Sequence, residues 1–300
     1  MILAVDVGGT NIRTALIASH GGTVQELRSR VSLGDRGVSE NDLIEKLSAL
    51  FSEIISSHND ISAIGIGFPG FFSAGSGILL SSPNLPQLHN VDLAGRLSEA
   101  VSLPVSMQND ALCAAIGEHR FGAGKGHANL LHITLGTGIG GGLILNGVPY
   151  TGESGMAMEF GHLRVAGSDL PRSCGCGGSG CVEAYASATA VSAQYFERSG
   201  IQTDAGDIYE RACKGDKHAK EIIESAGHCL GMAIAQAIKL LDIHTVTISG
   251  GFAGAWPLLH PAIIKSLDTE LIPPLKGKTT VLRSTLDDTA GLLGAAALIN

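Results

Sequence analysis

The 300-residue sequence has no basic stripe: its 20 Lys and Arg residues are scattered, 28 acidic residues outnumber them, and the net charge is −8. Nucleic acid is therefore not an expected partner. No apolar run reaches the length a membrane span needs, so no membrane association is expected. The amino terminus, MILAVDVGG, has neither a basic segment before its short apolar run nor a cleavage site. It reads as a core strand and not as a secretory signal, which makes the cytoplasm the expected location. In that reducing compartment the six cysteines argue for a metal or redox site before disulfides. Glycine is abundant, at 41 residues, but has no collagen-like period. It falls instead in clusters at Gly8-Gly9, Gly136 to Gly142 and Gly175 to Gly180, where backbone comes close to something.

What is present is enough for a sizeable core: 44% hydrophobic residues over a length that suits one or two domains. ILAVDVGGTNIRTALIAS reads as strand, glycine turn and strand, and VQELRSRVSL adds a third antiparallel strand. Leu43, Leu47, Leu50, Phe51 and Ile54 then recur at helical spacing, with Ser39 and Asp42 as start signals. ISAIGIGFPG is a buried strand followed by a loop, VDLAGRLSEAV a helix, PVSMQ a strand and DALCAAIGEHRFG a helix. From residue 129 the opening pattern returns in NLLHITLGTGIGGGLILNG, with Thr137 placed as Thr10 is. Helices near CVEAYASATAVSAQYFE and in the two segments after it, strand HTVTISGG, a helix after Phe252, strand TTVLRS and a final helix complete the chain. The expectation is a two-lobed α/β protein with a ligand-binding cleft. Residues 1–116, joined by the helix at 287–300, form the smaller lobe, and residues 117–286 form the larger.

A strand that ends in Asp6-x-Gly8-Gly9-Thr10 and turns straight back gathers bare N–H groups, a hydroxyl and a carboxylate at one tip. Such N–H groups cradle anionic oxygens, and Asp6 can hold Mg²⁺ through water. The loop is also compatible with an ordinary Gly-Gly hairpin, but its recurrence at Gly136-Thr137-Gly138 favours phosphate. Neither loop is followed by the Gly-Lys-Ser/Thr of a P-loop. Gly250-Gly251, after strand TVTIS, fits either a nucleotide's base or ribose or a tight strand-to-helix turn. Asn109-Asp110 stands at a strand-to-helix junction, where α/β sites are built. Two readings of Asp110 remain: a general base for an attacking alcohol, or the cap of the following helix.

Cys174, Cys176 and Cys181 are too close together for three core cysteines, because neighbouring thiolates repel unless a cation sits among them. Zinc held by these three sulfurs and His162 is the expected occupant, with a redox pair or free thiols as the alternatives. A complete Cys₃His set leaves no open position, so the metal is structural. Glu159 and Glu183 bracket the knot and can receive paired sugar hydroxyls; singly, each is an ordinary surface residue. Cys113, Cys213 and Cys229 lie on helical patterns and are expected in the core. Trp256 and the remaining histidines carry no signal.

Taken together, Asp6-x-Gly8-Gly9-Thr10, Gly67-x-Pro69-Gly70, Asn109-Asp110, Leu135 to Gly142, Glu159-x-Gly161-His162 and Cys174-x-Cys176-Gly-x-x-Gly-Cys181-x-Glu183 resemble one family. It is the ROK (repressor, open reading frame, kinase) family of bacterial sugar kinases and sugar-responsive repressors, and the resemblance covers essentially the whole chain. It implies the actin-like, hexokinase-like fold with a duplicated sheet core, and transfer of the γ-phosphate of MgATP to a hexose, first of all to the 6-hydroxyl of glucose. Asp110 is then the base. Asn109, Glu159, His162 and Glu183 hold sugar hydroxyls, with Gly70 and Asn84 lining the same pocket, and His162 uses its second nitrogen on zinc. The Gly8 to Thr10 and Gly136 to Gly138 loops face the phosphates, and Gly250-Gly251 approaches the adenosine. The resemblance also implies a homodimer. SSPNLP is similar to relatives acting on allose or N-acetylhexosamines, so those sugars and fructose are the alternative substrates. Family repressors carry a DNA-binding segment ahead of the sugar lobes, whereas this chain enters its first strand at Ile2, which favours the kinase over such a repressor and leaves a sugar-sensing regulator lacking that segment as the alternative. One departure stands out: Met158 occupies the place before Glu159 where family kinases usually carry glycine, a difference expected to touch packing more than chemistry.

Overall fold

The computed structural model describes residues 1–8, 12–18, 24–27, 38–165 and 171–299. β1 (Ile2–Val7) and β2 (Ile12–Ile17) pair antiparallel, with Val5 opposite Thr14, and β3 (Val24–Leu27) extends the hairpin. The third strand expected from Val24 is described as far as Leu27, and residues 28–37 lie outside the described residues. α1 (Glu40–Ser57) begins where the sequence signals it. Ser39 Oγ accepts the Asp42 N–H at 3.2 Å, and the Asp42 carboxylate accepts the Ser39 N–H at 3.3 Å, a reciprocal cap. Its buried Leu43, Leu47, Leu50 and Phe51 join one apolar cluster with Leu3, Val5 and Val7 of β1.

Because strand side chains alternate, Ala4 and Asp6 point to the opposite face of β1 from Leu3 and Val5. The strands that follow are β4 (Ala63–Phe68), β5 (Phe71–Phe72), β6 (Leu79–Ser81) and β7 (His89–Val91), and then α2 (Leu93–Val101), β8 (Val105–Asn109) and α3 (Asp110–Phe121). β4 lies parallel to β1, and β8 parallel to β4. β5, β6 and β7 make a small antiparallel sheet where the sequence reads as a loop. Strands of two or three residues are too short to show an alternation.

The second half repeats the plan with β9 (Leu130–Leu135), β10 (Ile139–Leu145), β11 (Val148–Pro149), α4 (Glu183–Ala186), α5 (Ala188–Ser199), α6 (Ala205–Cys213), α7 (Lys217–Leu241), β12 (Thr245–Ser249), α8 (Trp256–Glu270), β13 (Thr280–Arg283) and α9 (Thr289–Ala296). The first sheet runs β3-β2-β1-β4-β8 and the second β11-β10-β9-β12-β13. The order is the same: a hairpin of three strands, then two parallel strands added beyond the first. The duplication read from the glycine loops is thus a duplication of topology. In the second sheet buried His132 faces Thr247 and bonds two β12 hydroxyls, Nδ1 to Thr247 Oγ1 at 2.8 Å and Nε2 to Ser249 Oγ at 3.0 Å. Burial pushes its pKa down to about 3, so it serves as a neutral strap between the strands.

Two compact units result: Met1–Gly126 with Gly142–Ala157 and Asp288–Asn300, and His127–Gly141 with Met158–Asp287. In the first, α9 packs on β1, β4 and α3. A Cβ on Gly117 would stand 2.0 Å from Ala290 O, and one on Gly294 would stand 1.6 Å from Cys113 O, so α3 and α9 touch backbone to backbone. In the second, α7 and α8 pack together along their length. Among the described residues no helix is long and apolar enough to cross a membrane. Of the three cysteines expected in the core, Cys113 is buried and Cys229 partly so, but Cys213 is exposed. It sits at the last position of α6, beyond the helix's buried face of Ala205, Ile208 and Ala212.

Candidate active site

The first unit gathers Asp6, Asn109, Asp110 and Gly70. Asp6 is the last but one residue of β1 and faces α9, where a Cβ on Gly291 would lie in ordinary contact, 3.4 Å from the Asp6 carboxylate. Burial pushes the Asp6 carboxyl up to about 6; the Asp110 charge adds to the rise, Arg13 opposes it, and Asp288 adds a little. Burial also raises Asp110, against the pull of the Ala111 N–H, which donates to its Oδ1 at 2.9 Å. The two carboxylates are close enough to feel one another, which suits a site that takes up a cation and a proton.

The structure separates the two readings of the Asn109-Asp110 pair. Asn109 is the cap: its Oδ1 accepts the Leu112 N–H at 3.0 Å, while its Nδ2 donates to Gly70 O at 3.1 Å. Asp110 is the first residue of α3, one position past the N-cap, and its carboxylate accepts the adjacent Ala111 N–H. The reading of Asp110 as the cap is therefore corrected. Asn84 is exposed in the turn between β6 and β7, and among the described residues no hydrogen bond joins it to this group. Gly8 directly follows β1; Gly9 and Thr10 lie outside the described residues.

The second unit gathers the other candidates. Gly136, Thr137 and Gly138 turn between β9 and β10, closed by the Gly136 N–H donating to Gly138 O at 3.0 Å, with Thr137 exposed at the tip. Gly250, after β12, has a φ of 95°, and a Cβ on it would meet Leu135 O at 2.4 Å. Only glycine fits there, and the approach sets Gly250-Gly251 beside the end of β9, next to Gly136. Glu183 opens α4, and its Oε2 accepts the Ile139 N–H at 2.9 Å. A cavity of about 600 Å³ is lined by Thr137, Gly138, Arg172, Cys174, Glu183 and Ser187, among others.

Beside it lies the cysteine knot. His162 closes the single helical turn Phe160–His162, and one ligand atom from each of His162, Cys174, Cys176 and Cys181 falls within 4.8 Å of the others. Cys176 Sγ and Cys181 Sγ are 3.7 Å apart, and Cys174 Sγ and His162 Nδ1 are 3.6 Å apart. The first distance is far beyond the S–S bond of about 2.05 Å. Tetrahedral zinc, with Zn–S of about 2.3 Å and Zn–N of about 2.05 Å, requires edges of about 3.75 Å and 3.55 Å. The donor set and spacing fit that metal. The thiols also need a cation to ionise together: burial pushes Cys174 up to about 12 and raises Cys181, while the Gly178 N–H lowers Cys176. His162 Nε2, on the far side of the ring, lies 3.7 Å from Glu159 Oε2. Glu159 is itself exposed, and its predecessor Met158 has a φ of 69°. The place where the family resemblance implies glycine is thus a left-handed backbone position, and the departure there concerns backbone more than the packing expected from sequence.

A model of the ROK family matches residues 2–300. The chain belongs to the ROK family. It is 33% identical to a glucokinase of Thermotoga maritima, across 99% of this chain and 96% of the relative. It is 30% identical to an N-acetyl-D-glucosamine kinase of Pectobacterium carotovorum, across 99% and 98%. The crystal structure of a ROK family glucokinase from Streptomyces griseus, in complex with glucose and AMPPNP, superposes with a TM-score of 0.83 at 30% identity, covering 99% of this chain and 98% of that one. The two sheets described above are those of the α/β, actin-like ATPase fold of ROK sugar kinases. Sequence reasoning missed Arg172 and Ser187, which line the cavity, and the Ile139 N–H that Glu183 holds. The glycine at 138 marks the place in the structure, where a Cβ would come within 2.7 Å of Glu183 Oε2.

Proposed function

We propose that this ROK protein is an ATP-dependent hexose kinase, acting on the 6-hydroxyl of glucose in the cytoplasm. The observation that carries the reading is Asp110: a half-buried carboxylate with a raised pKa at a strand-to-helix junction, next to Asn109, which holds the N-cap of the helix. Asp110 takes the proton of the sugar hydroxyl as its oxygen forms the new bond to the γ-phosphorus; the bond to the ADP oxygen breaks, and ADP leaves with those electrons. Asp6 would hold the Mg²⁺ that accompanies ATP, which would neutralise charge on the phosphates. Gly8, Gly9 and Thr10 face the phosphates from one loop, Gly136, Thr137 and Gly138 from the other, and Gly250-Gly251 approaches the adenosine. Gly70, Asn84, Asn109, Glu159, His162 and Glu183 bind the hexose.

His162, Cys174, Cys176 and Cys181 would hold a zinc ion whose contribution is structural, since its four positions are filled by protein. His162 Nδ1 lies in that set while Nε2 faces Glu159, which supports a ring that is fixed on one side and offered to a sugar hydroxyl on the other. An ADP-release assay over a panel of hexoses with MgATP tests the activity, and turnover of none of them overturns it. The likeness to an N-acetyl-D-glucosamine kinase favours a second reading, in which an N-acetylhexosamine gives the higher kcat/KM in the same panel.

A further inference from the structure

We propose that Glu183 is a positioning residue for the loop Gly136 to Ile139, so that the sugar-side carboxylate also sets the shape of the phosphate-facing turn. The proposal rests on the reading of that loop as donor-facing. Two backbone bonds fasten the loop, one at each end. At its far end the Ile139 N–H donates to Glu183 Oε2 at 2.9 Å, and at its near end the Ala188 N–H donates to Gly136 O at 2.9 Å. Both anchors belong to the short stretch that leaves the cysteine knot, two to seven residues beyond Cys181. The other carboxylate oxygen of Glu183 lies 3.8 Å from Cys174 Sγ.

Glu183 thus spans from the knot to the loop. Its oxygen occupies the space that any side chain on Gly138 would claim, since a Cβ there would lie 2.7 Å away. Thr137 and Gly138 line the same cavity as Glu183 and Cys174. If the carboxylate leaves, the Ile139 N–H, beneath a buried side chain, loses its acceptor, and the turn that presents Thr137 loses one of the two bonds that fasten it to the stretch after the knot. A sugar that engages Glu183 therefore acts on donor affinity, and the donor acts equally on sugar affinity.

The test is calorimetric titration of the zinc-loaded full chain with Mg–AMPPNP in the absence of sugar, on the wild type, Glu183→Ala and Glu183→Gln. The amide oxygen of Gln can still accept the Ile139 N–H, so Gln is expected to bind the nucleotide within about twofold of wild type, whereas Ala binds about fivefold or more weakly. A carboxylate that served the sugar alone would leave nucleotide affinity untouched, so an Ala variant within twofold of wild type overturns the proposal. Failure of the wild type to bind the nucleotide overturns the kinase reading itself. Should Glu183→Ala lose its zinc or its fold, Gly138→Ala gives the reciprocal readout. Its methyl displaces the carboxylate, glucose affinity is expected to fall about fivefold, and unchanged glucose affinity overturns the proposal.

Discussion

At the scale of single residues, the capping bond from Asn109 Oδ1 to the Leu112 N–H makes Asn109, and not Asp110, the N-cap of α3. Asp110→Asn is expected to lower kcat by about 10²- to 10⁴-fold with little change in glucose affinity, as ADP release and calorimetry would show. A large loss of glucose binding instead would make Asp110 a binding group. Asp6 allows a prediction about stability. Its folded pKa is raised from 3.8 to about 6, so the folded state binds the proton more tightly than the unfolded chain, and stability is lost as pH rises from about 4 through 6. Asp6→Asn removes that loss. In metal-free buffer the variant is expected to exceed the wild type by about 3 kcal/mol at pH 7.5 and to differ little at pH 4, read from urea unfolding. Equal stability at both pH values would show that the carboxylate is not strained by its surroundings. Which of Asn109 and Asp110 caps the helix was not legible in the sequence, because both residue types cap well and the two are adjacent.

At the scale of elements, the crossing of α3 and α9 leaves no room for a methyl group. Gly294→Ala would drive a carbon into Cys113 O, and a loss of about 1–3 kcal/mol or more is expected in urea unfolding, as for overpacked cores. A neutral outcome would mean that the helices slide apart freely. The knot gives a second prediction at this scale. Cys176→Ser is expected to release zinc, measured by metal analysis, and to weaken glucose binding by about tenfold or more. Intact glucose affinity in the zinc-free variant would show that the knot supports folding alone. The knot was legible because its ligands lie close in sequence and cysteine spacing is a local signal. α1 was legible in its start and its apolar stripe for the same reason. The helix crossing was not: glycine within a helical pattern reads as a cost, and only the partner helix, far along the chain, shows what it permits. The bond between Ile139 and Glu183 joins positions 44 residues apart and was hidden likewise.

At the scale of the whole molecule, the duplicated strand order was legible through its two strand-turn-strand segments, each with glycine and a threonine between the strands. The alternation of strand and helix fixed the α/β class, but the assignment of Gly142–Ala157 to the first unit follows from contacts that no local pattern carries. The family reading implies a homodimer, and Phe196, Ile201, Leu240 and Ile272 are large apolar side chains left exposed on the second unit. Sedimentation velocity at micromolar concentration is expected to give a dimer, and a monomer throughout that range would refute it. The packing of α9 on β1 and β4 has a further consequence, for biosynthesis. α9 is translated after every other described element, yet it covers two of the strands made earliest. The unit that starts emerging from the ribosome first is the one completed last, and the face bearing Ala4 and Gly65 waits uncovered through synthesis of the entire second unit.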